Sequence, residues 1–147
     1  MKQQQLLVQE VVEDFNNSQQ LAPRQQKKMM KVWQMLDDAI KTGKYKQCRN
    51  SYGRGKNQRC MLGLFMSYNG WKGHNDIHYN IAGHLNDSVF GGVSAHPYPL
   101  TKNDCFDTIF REYIETGKID SDLILRLNDT HNTTFEEFRD FFRWLDI

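Results

Sequence analysis

The stretch Gly43–Gly73 reads GKYKQCRNSYGRGKNQRCMLGLFMSYNGWKG, and its reading separates a purely helical fold from a mixed one. Residues 44–59 lack helical periodicity. Gly53-Arg54-Gly55 is a turn signal between two short extended pieces, near Lys44–Arg49 and Asn57–Cys60, which predicts a small β-hairpin within 44–60, with a long loop as the alternative. From Cys60 to Tyr68 the pattern becomes a short apolar helix with Leu62, Phe65 and Met66 inward, closed by Asn69-Gly70. Gly63 inside that helix permits close backbone approach.

Helices are expected on either side. Residues 1–20 carry a thin apolar stripe (Leu7, Val8, Val11, Val12, Phe15) suited to a peripheral or self-associating helix. Pro23 suits the first turn of a second helix, whose face Met29, Val32, Trp33, Leu36 and Ile40 ends at Gly43. Residues 71–100 predict a short helix from Ile77 to Leu85, a strand near Ser88–Val93 and an irregular loop at His96–Pro99. Thr101 is read as the N-cap of a helix striped by Phe106, Ile109, Phe110 and Tyr113 and stopped by Gly117. A short apolar piece, Leu123–Leu127, comes next. Thr133 and Thr134 with Glu136 and Glu137 offer overlapping capping boxes for a last helix that buries Phe135, Phe138, Phe142 and Leu145. The expected fold is α+β: one mostly helical domain over 1–147, about five helices and a small hairpin, with all-α as the alternative.

Size and composition fit this. A chain of 147 residues suits one domain with a real core. The apolar fraction of 39% is low, but nine Phe, six Tyr and three Trp supply core volume. No run reaches the ~20 apolar residues of a membrane helix. MKQQQ does not open a signal peptide, and the three cysteines form no CxxC pair. The expectation is a soluble protein with free thiols in a reducing, cytoplasmic compartment.

Charge is where function shows. Lys44, Lys46, Arg49, Arg54, Lys56, Arg59 and Lys72 give Gly43–Gly73 seven bases and no acid, although the whole chain carries only +1. Residues 104–147 hold a net −6, so the basic centre is either open to a ligand or neutralised by the acidic C-terminal third. Arginine donates paired hydrogen bonds to phosphate, glycine exposes backbone N–H groups, and planar side chains stack on a base. On that chemistry Arg49, Arg54, Lys56 and Arg59 are the expected phosphate ligands and Tyr45, Tyr52 or Trp71 the stacking rings. Asn128 and Asp129 are candidates to read ribose or base edges. The bland reading is a solvated hairpin tip whose charges protect an edge strand. A long nucleic acid is disfavoured by the acidic third and by a near-neutral pI of about 7.7. GRGKNQ lacks Walker A spacing.

Other chemistry is weakly signalled. His74 and His78 stand at i, i+4, but no HExxH motif or cysteine pair accompanies them, so no metal ligand or cofactor is assigned. Cys60 follows Arg59, as an activated thiol would, yet it begins an apolar run that favours burial. Glu136 and Glu137 are explained as caps, and no catalytic residue is assigned.

The order of AIKTGKYKQ (Ala39–Gln47), a glycine–arginine turn, RCMLGLF (Arg59–Phe65) and LRLNDTHNTTFEEFRDFF (Leu125–Phe142) resembles a family of small uncharacterised phage and prophage proteins. Its pattern has a GRG-type turn, a Cys-x-Leu-Gly segment and a terminal Leu-Asn-Asp…Phe helix. Cys48 and Met61 depart from it. The resemblance implies a viral setting in the host cytoplasm and no particular chemistry. One strategy of that setting is to hold a host nucleotide alarm signal without converting it. The expected function is therefore sequestration of a nucleotide-derived anion, of cyclic-nucleotide or ADP-ribose type, to counter host immunity. The alternatives are an inhibitor that docks on a host protein and a nucleotide-processing enzyme.

Overall fold

A computed structural model describes residues 30–73, 76–91 and 96–147. The chain divides into two units, Met1–Met30 and Lys31–Ile147, and every helix and strand among the described residues belongs to the second. The expected first helix, and residues 23–29 of the second, lie outside the described residues. The fold is α+β, with six α-helices and a three-stranded sheet among the described residues.

Helix α1 (Val32–Thr42) forms because Val32, Met35, Leu36 and Ala39 recur on one face, and all four are buried. Gly43 ends it in the left-handed conformation, φ 66°. At the other end of the chain, α6 (Phe135–Leu145) starts from a Thr134–Glu137 capping box and buries Phe135, Phe138 and Phe142. The two helices pack antiparallel. Lys31 pairs with Asp146 at 2.6 Å, the Trp33 N–H donates to the Ile147 carbonyl, and Arg139 reaches Asp37 at 3.2 Å.

Between them lie α2 (Met61–Tyr68), α3 (Ile81–Asn86), a 3-10 turn at Val89–Gly91, α4 (Lys102–Thr116) and α5 (Ser121–Asp129). Helix α2 is apolar all round, and Met61, Leu62, Gly63, Leu64 and Met66 are buried. Gly63 is required there: a Cβ would sit 1.7 Å from the Tyr52 carbonyl oxygen. Thr101 caps α4 by accepting the Asp104 N–H at 3.1 Å, and Gly117 closes it at φ 73°. Asp120 caps α5.

Three expectations change. Gly53-Arg54 is not the turn but strand β2, since the reversal falls at residues 55–57. Strand β3 (Gln58–Arg59) pairs antiparallel with β2 and parallel with β1 (Lys46–Gln47), giving the order β1-β3-β2. The helix expected from Ile77 begins only at Ile81, because Asn80 caps it by accepting the Gly83 N–H at 3.0 Å, and Ile77 is 88% exposed. Of the strand expected at Ser88–Val93, Val89–Gly91 form a 3-10 turn instead, and residues 92–93 lie outside the described residues. No helix among the described residues is long and apolar enough to cross a membrane.

Candidate functional site

The sheet is two residues deep, so side chains alternate sharply across it. Gln58 faces solvent and Arg59 faces in, with only 1% of Arg59 exposed. Gly53 lies opposite Arg59 and makes room for it, since a Cβ there would stand 2.9 Å from Arg59 Cδ and Nη1. The guanidinium donates to Ser67 Oγ at 2.6 Å, to the Gln58 carbonyl at 2.7 Å and to the Gly55 carbonyl at 2.9 Å, and Nη2 approaches the Lys72 carbonyl at 3.5 Å. The Tyr45 and Trp71 rings lie 5.1 and 5.2 Å from its Cζ. Carbonyl dipoles and two ring faces, rather than a carboxylate, stabilise this buried cation.

A second polar hub fixes the base of the loop. Asn128 is fully buried at the end of α5. Its amide donates to the Cys48 carbonyl at 2.9 Å and to Asp129 Oδ1 at 2.8 Å, while its oxygen accepts from the Met61 N–H at 3.1 Å and from Gln47 Nε2 at 2.8 Å. Gln47 also donates to the Thr133 carbonyl and accepts the Phe135 N–H. Asp129 takes the Asn50 N–H at 2.9 Å, where Asn50 stands at φ 63°. One glutamine and one asparagine thus tie β1, α2, α5 and α6 together with their hydrogen-bonding groups satisfied.

On that frame sits a cleft of about 400 Å³ lined by Gly55, Lys56, Lys72, Gly73, Asp76, Ile77 and His78. Arg59 braces it from behind, since its guanidinium bonds the Gly55 carbonyl and lies against the Lys72 carbonyl. Lys56 and Lys72 are exposed. One carboxylate shares the cleft. Asp76 accepts the His78 N–H at 3.0 Å and the Lys72 N–H at 3.1 Å, and these two bonds hold its pKa below the usual carboxylate value. Among the described residues none of the seven bases of Gly43–Gly73 forms an ion pair with a carboxylate.

The nine residues singled out from sequence therefore separate. Lys56 lines the cleft. Arg54 is exposed and turns back to donate to the Arg49 carbonyl at 2.9 Å. Arg49 is half-buried, its Nε shielded and without a hydrogen-bond partner. Arg59 and Trp71 are buried beneath the cleft, and Asn128 is buried in the hub, so these three act through the frame rather than by contact with solvent. Tyr45 lies over Arg59, Tyr52 is half-buried with its backbone against Gly63, and Asp129 braces Asn50. Lys72, Asp76, Ile77 and His78 complete the cleft without having been assigned to it. The acid-free run Gly43–Gly73 flagged Lys72; the sequence singled out His78 only for its i, i+4 spacing to His74, which lies outside the described residues.

Two further groups of side chains bear on chemistry. Cys60 is fully buried, and burial pushes its thiol up to about 12, against the smaller opposing effect of the Gly63 and Leu62 N–H groups. Such a thiol stays protonated at neutral pH, which removes the Cys60 nucleophile from consideration. His96, Glu112 and Asp120, which no sequence motif connects, bring one nitrogen and two carboxylate oxygens within 4.8 Å of one another. Comparison with known protein families, with curated proteins and with solved structures finds no match for the chain.

Proposed function

We propose that this protein binds a small nucleotide-type anion in the cleft lined by Gly55, Lys56, Lys72, Gly73, Asp76, Ile77 and His78 and holds it without chemical change. The observation that carries this reading is the composition of the cleft wall. Lys56 and Lys72 offer ammonium groups for phosphate oxygens, Asp76 offers acceptor oxygens for ribose hydroxyls, and exposed Ile77 with His78 offers a surface for a base. Inorganic phosphate alone would meet the Asp76 charge without the ribose hydroxyls that make use of it. The Arg59 cation behind the wall, unpaired with any carboxylate among the described residues, adds a positive field that water screens poorly. A protein of this type acts as a sponge for a cyclic nucleotide or an ADP-ribose signal; the phage setting comes from the resemblance of the sequence motifs.

Thermal melting of the full chain tests it. A cyclic mononucleotide, a cyclic dinucleotide, ADP-ribose and inorganic pyrophosphate are added in turn at about 1 mM. A ligand at a hundredfold excess over its Kd contributes about 2.7 kcal/mol, which for a chain of this size raises Tm by about 5–10 °C. The shift should vanish in the double variant Lys56→Ala, Lys72→Ala, and the ligand should return intact by chromatography. A panel that leaves Tm unmoved, or a shift that survives the double variant, rules the reading out.

A second reading, docking on a partner protein, is favoured by one observation. Trp144 is 67% and Ile114 66% exposed, and Trp144 sits 5.0 Å from Phe110 and 6.3 Å from Phe141, which makes an aromatic patch across α4 and α6. A single stoichiometric partner captured by the parent and lost in Trp144→Asp would support it.

A further inference from the structure

His96, Glu112 and Asp120 come from three separate places: the loop before α4, the C-terminal half of α4 and the N-cap of α5. His96 Nε2 stands 3.2 Å from Asp120 Oδ2 and 3.4 Å from Glu112 Oε2. The side chains are 11% exposed for His96, 2% for Asp120 and 26% for Glu112, so the cluster is sheltered and opens on the Glu112 side.

Each group is held in place by its neighbours. Asp120 Oδ1 accepts the N–H groups of Asp122 at 2.9 Å and Leu123 at 3.3 Å, and this cap turns Oδ2 toward the histidine. Arg126, one turn further along α5, donates to the His96 carbonyl and to the Tyr98 carbonyl at 3.3 Å, and pairs with Asp122 at 3.1 Å. The start of α5 therefore fixes both the carboxylate and the histidine loop. Supporting bonds of this kind orient metal ligands.

We propose that His96, Glu112 and Asp120 bind one divalent transition-metal ion. The spacing argues for it. A tetrahedral ion with nitrogen and oxygen ligands at about 2.0–2.2 Å sets neighbouring ligand atoms about 3.4 Å apart. The 3.2 and 3.4 Å separations match that edge. A charged imidazolium bonded to a carboxylate prefers about 2.7–2.9 Å, and an Nε2–H shared between two oxygens makes only a longer three-centre bond to each. One imidazole with two carboxylates suits Zn²⁺, Mn²⁺ or Fe²⁺, whereas Ca²⁺ and Mg²⁺ favour all-oxygen shells. Three protein ligands leave a position for water or for a ligand oxygen.

The test uses the full chain, stripped with a chelator and exchanged into metal-free buffer. Zn²⁺ is titrated against a chromophoric competitor, and Co²⁺ loading is followed by visible absorption. The expected result is one equivalent bound, with affinity reduced at least about tenfold in His96→Gln and in Glu112→Gln. His84→Gln, at an exposed histidine on α3, should retain parent affinity. Asp120→Asn should weaken binding while keeping a capping oxygen for α5. If a ligand variant does not fold, the Co²⁺ spectrum of the parent decides: a band typical of nitrogen and oxygen ligands supports the site, and an intense thiolate band overturns it. Absence of stoichiometric Zn²⁺, Mn²⁺ and Co²⁺ binding overturns it, as does binding that survives His96→Gln. A flat metal titration beside a pH-dependent melt that His96→Gln abolishes would assign a protonated histidine shared by two carboxylates instead.

Discussion

Replacing Arg59 by methionine removes the guanidinium while keeping most of the stem that packs under β2, so it isolates what the charged head contributes. Three strong hydrogen bonds are lost, to Ser67 Oγ, the Gln58 carbonyl and the Gly55 carbonyl, together with the ring contacts to Tyr45 and Trp71. Bonds to a charged donor contribute about 1.5–3 kcal/mol each, and a cation over a ring about 0.5–2 kcal/mol. Two effects offset this. The carbonyls of exposed Gly55 and Gln58 regain water, and the variant no longer desolvates a cation. The net expectation is a loss of about 3–4 kcal/mol, which for a chain of this length lowers Tm by about 8–15 °C. Arg59→Lys keeps the charge but not the planar fork and should fall between. Lys56→Ala, on an exposed turn, should stay within about 0.5 kcal/mol of the parent. Calorimetric melting of the three variants, without ligand, is the assay. An Arg59→Met protein that melts within about 2 °C of the parent would refute the argument that this arginine is a structural cation, and would make it a ligand contact again.

Gly63→Ala should destabilise by about 1–3 kcal/mol or more, because its Cβ would overlap the Tyr52 carbonyl and break the Cys60 N–H bond to that oxygen; urea unfolding measures it. Burial raises the thiols of Cys48, Cys60 and Cys105, so a disulfide reagent at pH 7–8 should label the native protein slowly and all three cysteines at once in urea. Asp37 and Glu137 have folded pKa values lowered from 3.8 and 4.5, chiefly by hydrogen bonds from Lys41 and Lys102. Their contribution is complete above those unfolded values and is lost as pH falls through the lower folded ones. Tm should therefore hold above about pH 5 and drop below about pH 4, and Asp37→Asn should flatten that drop.

The helices were legible because their signals are local. Gly43 and Gly117 stop α1 and α4 at positive φ, Thr101 and Thr134 cap α4 and α6, and the apolar stripes carry the helical period. The parallel β1–β3 pairing was not legible, since no short-range signal joins Lys46 to Gln58. The interior of the site was partly readable in retrospect. Asn128 lies four residues after buried Ile124, on the inward stripe of α5, which marks it as a core amide rather than a free edge. Strand alternation places Arg59 on the face opposite Gln58, and Gly53 across from it is the vacancy an arginine needs. A run of bases reads as a solvated surface only when such alternation is ignored. The cleft and the His96 cluster had no comparable signal, because each is assembled from elements far apart in the chain.

The charge asymmetry of the chain now has a physical account. Had the acidic C-terminal third neutralised Gly43–Gly73, its carboxylates would pair with those bases; among the described residues none does. Glu137 takes Lys102, Asp146 takes Lys31, Asp107 and Asp122 pair with arginines four residues on, Glu112 and Asp120 face His96, and Asp129 accepts backbone and amide N–H groups. What joins the two halves is the neutral Gln47–Asn128 pair together with Asp129, which accepts the Asn50 N–H and forms no ion pair with a base of the loop. Lys56, Lys72 and Arg59 thus form no ion pair among the described residues, and Asp76 is the carboxylate that lines the cleft beside them. That single carboxylate therefore becomes the sharpest lever on the proposed ligand. Asp76→Asn should strengthen binding of inorganic pyrophosphate, by removing repulsion, and weaken binding of a nucleotide whose ribose hydroxyls it accepts. Opposite signs for the two probes support a ribose-reading role, and equal strengthening of both would reduce the cleft to a simple anion site.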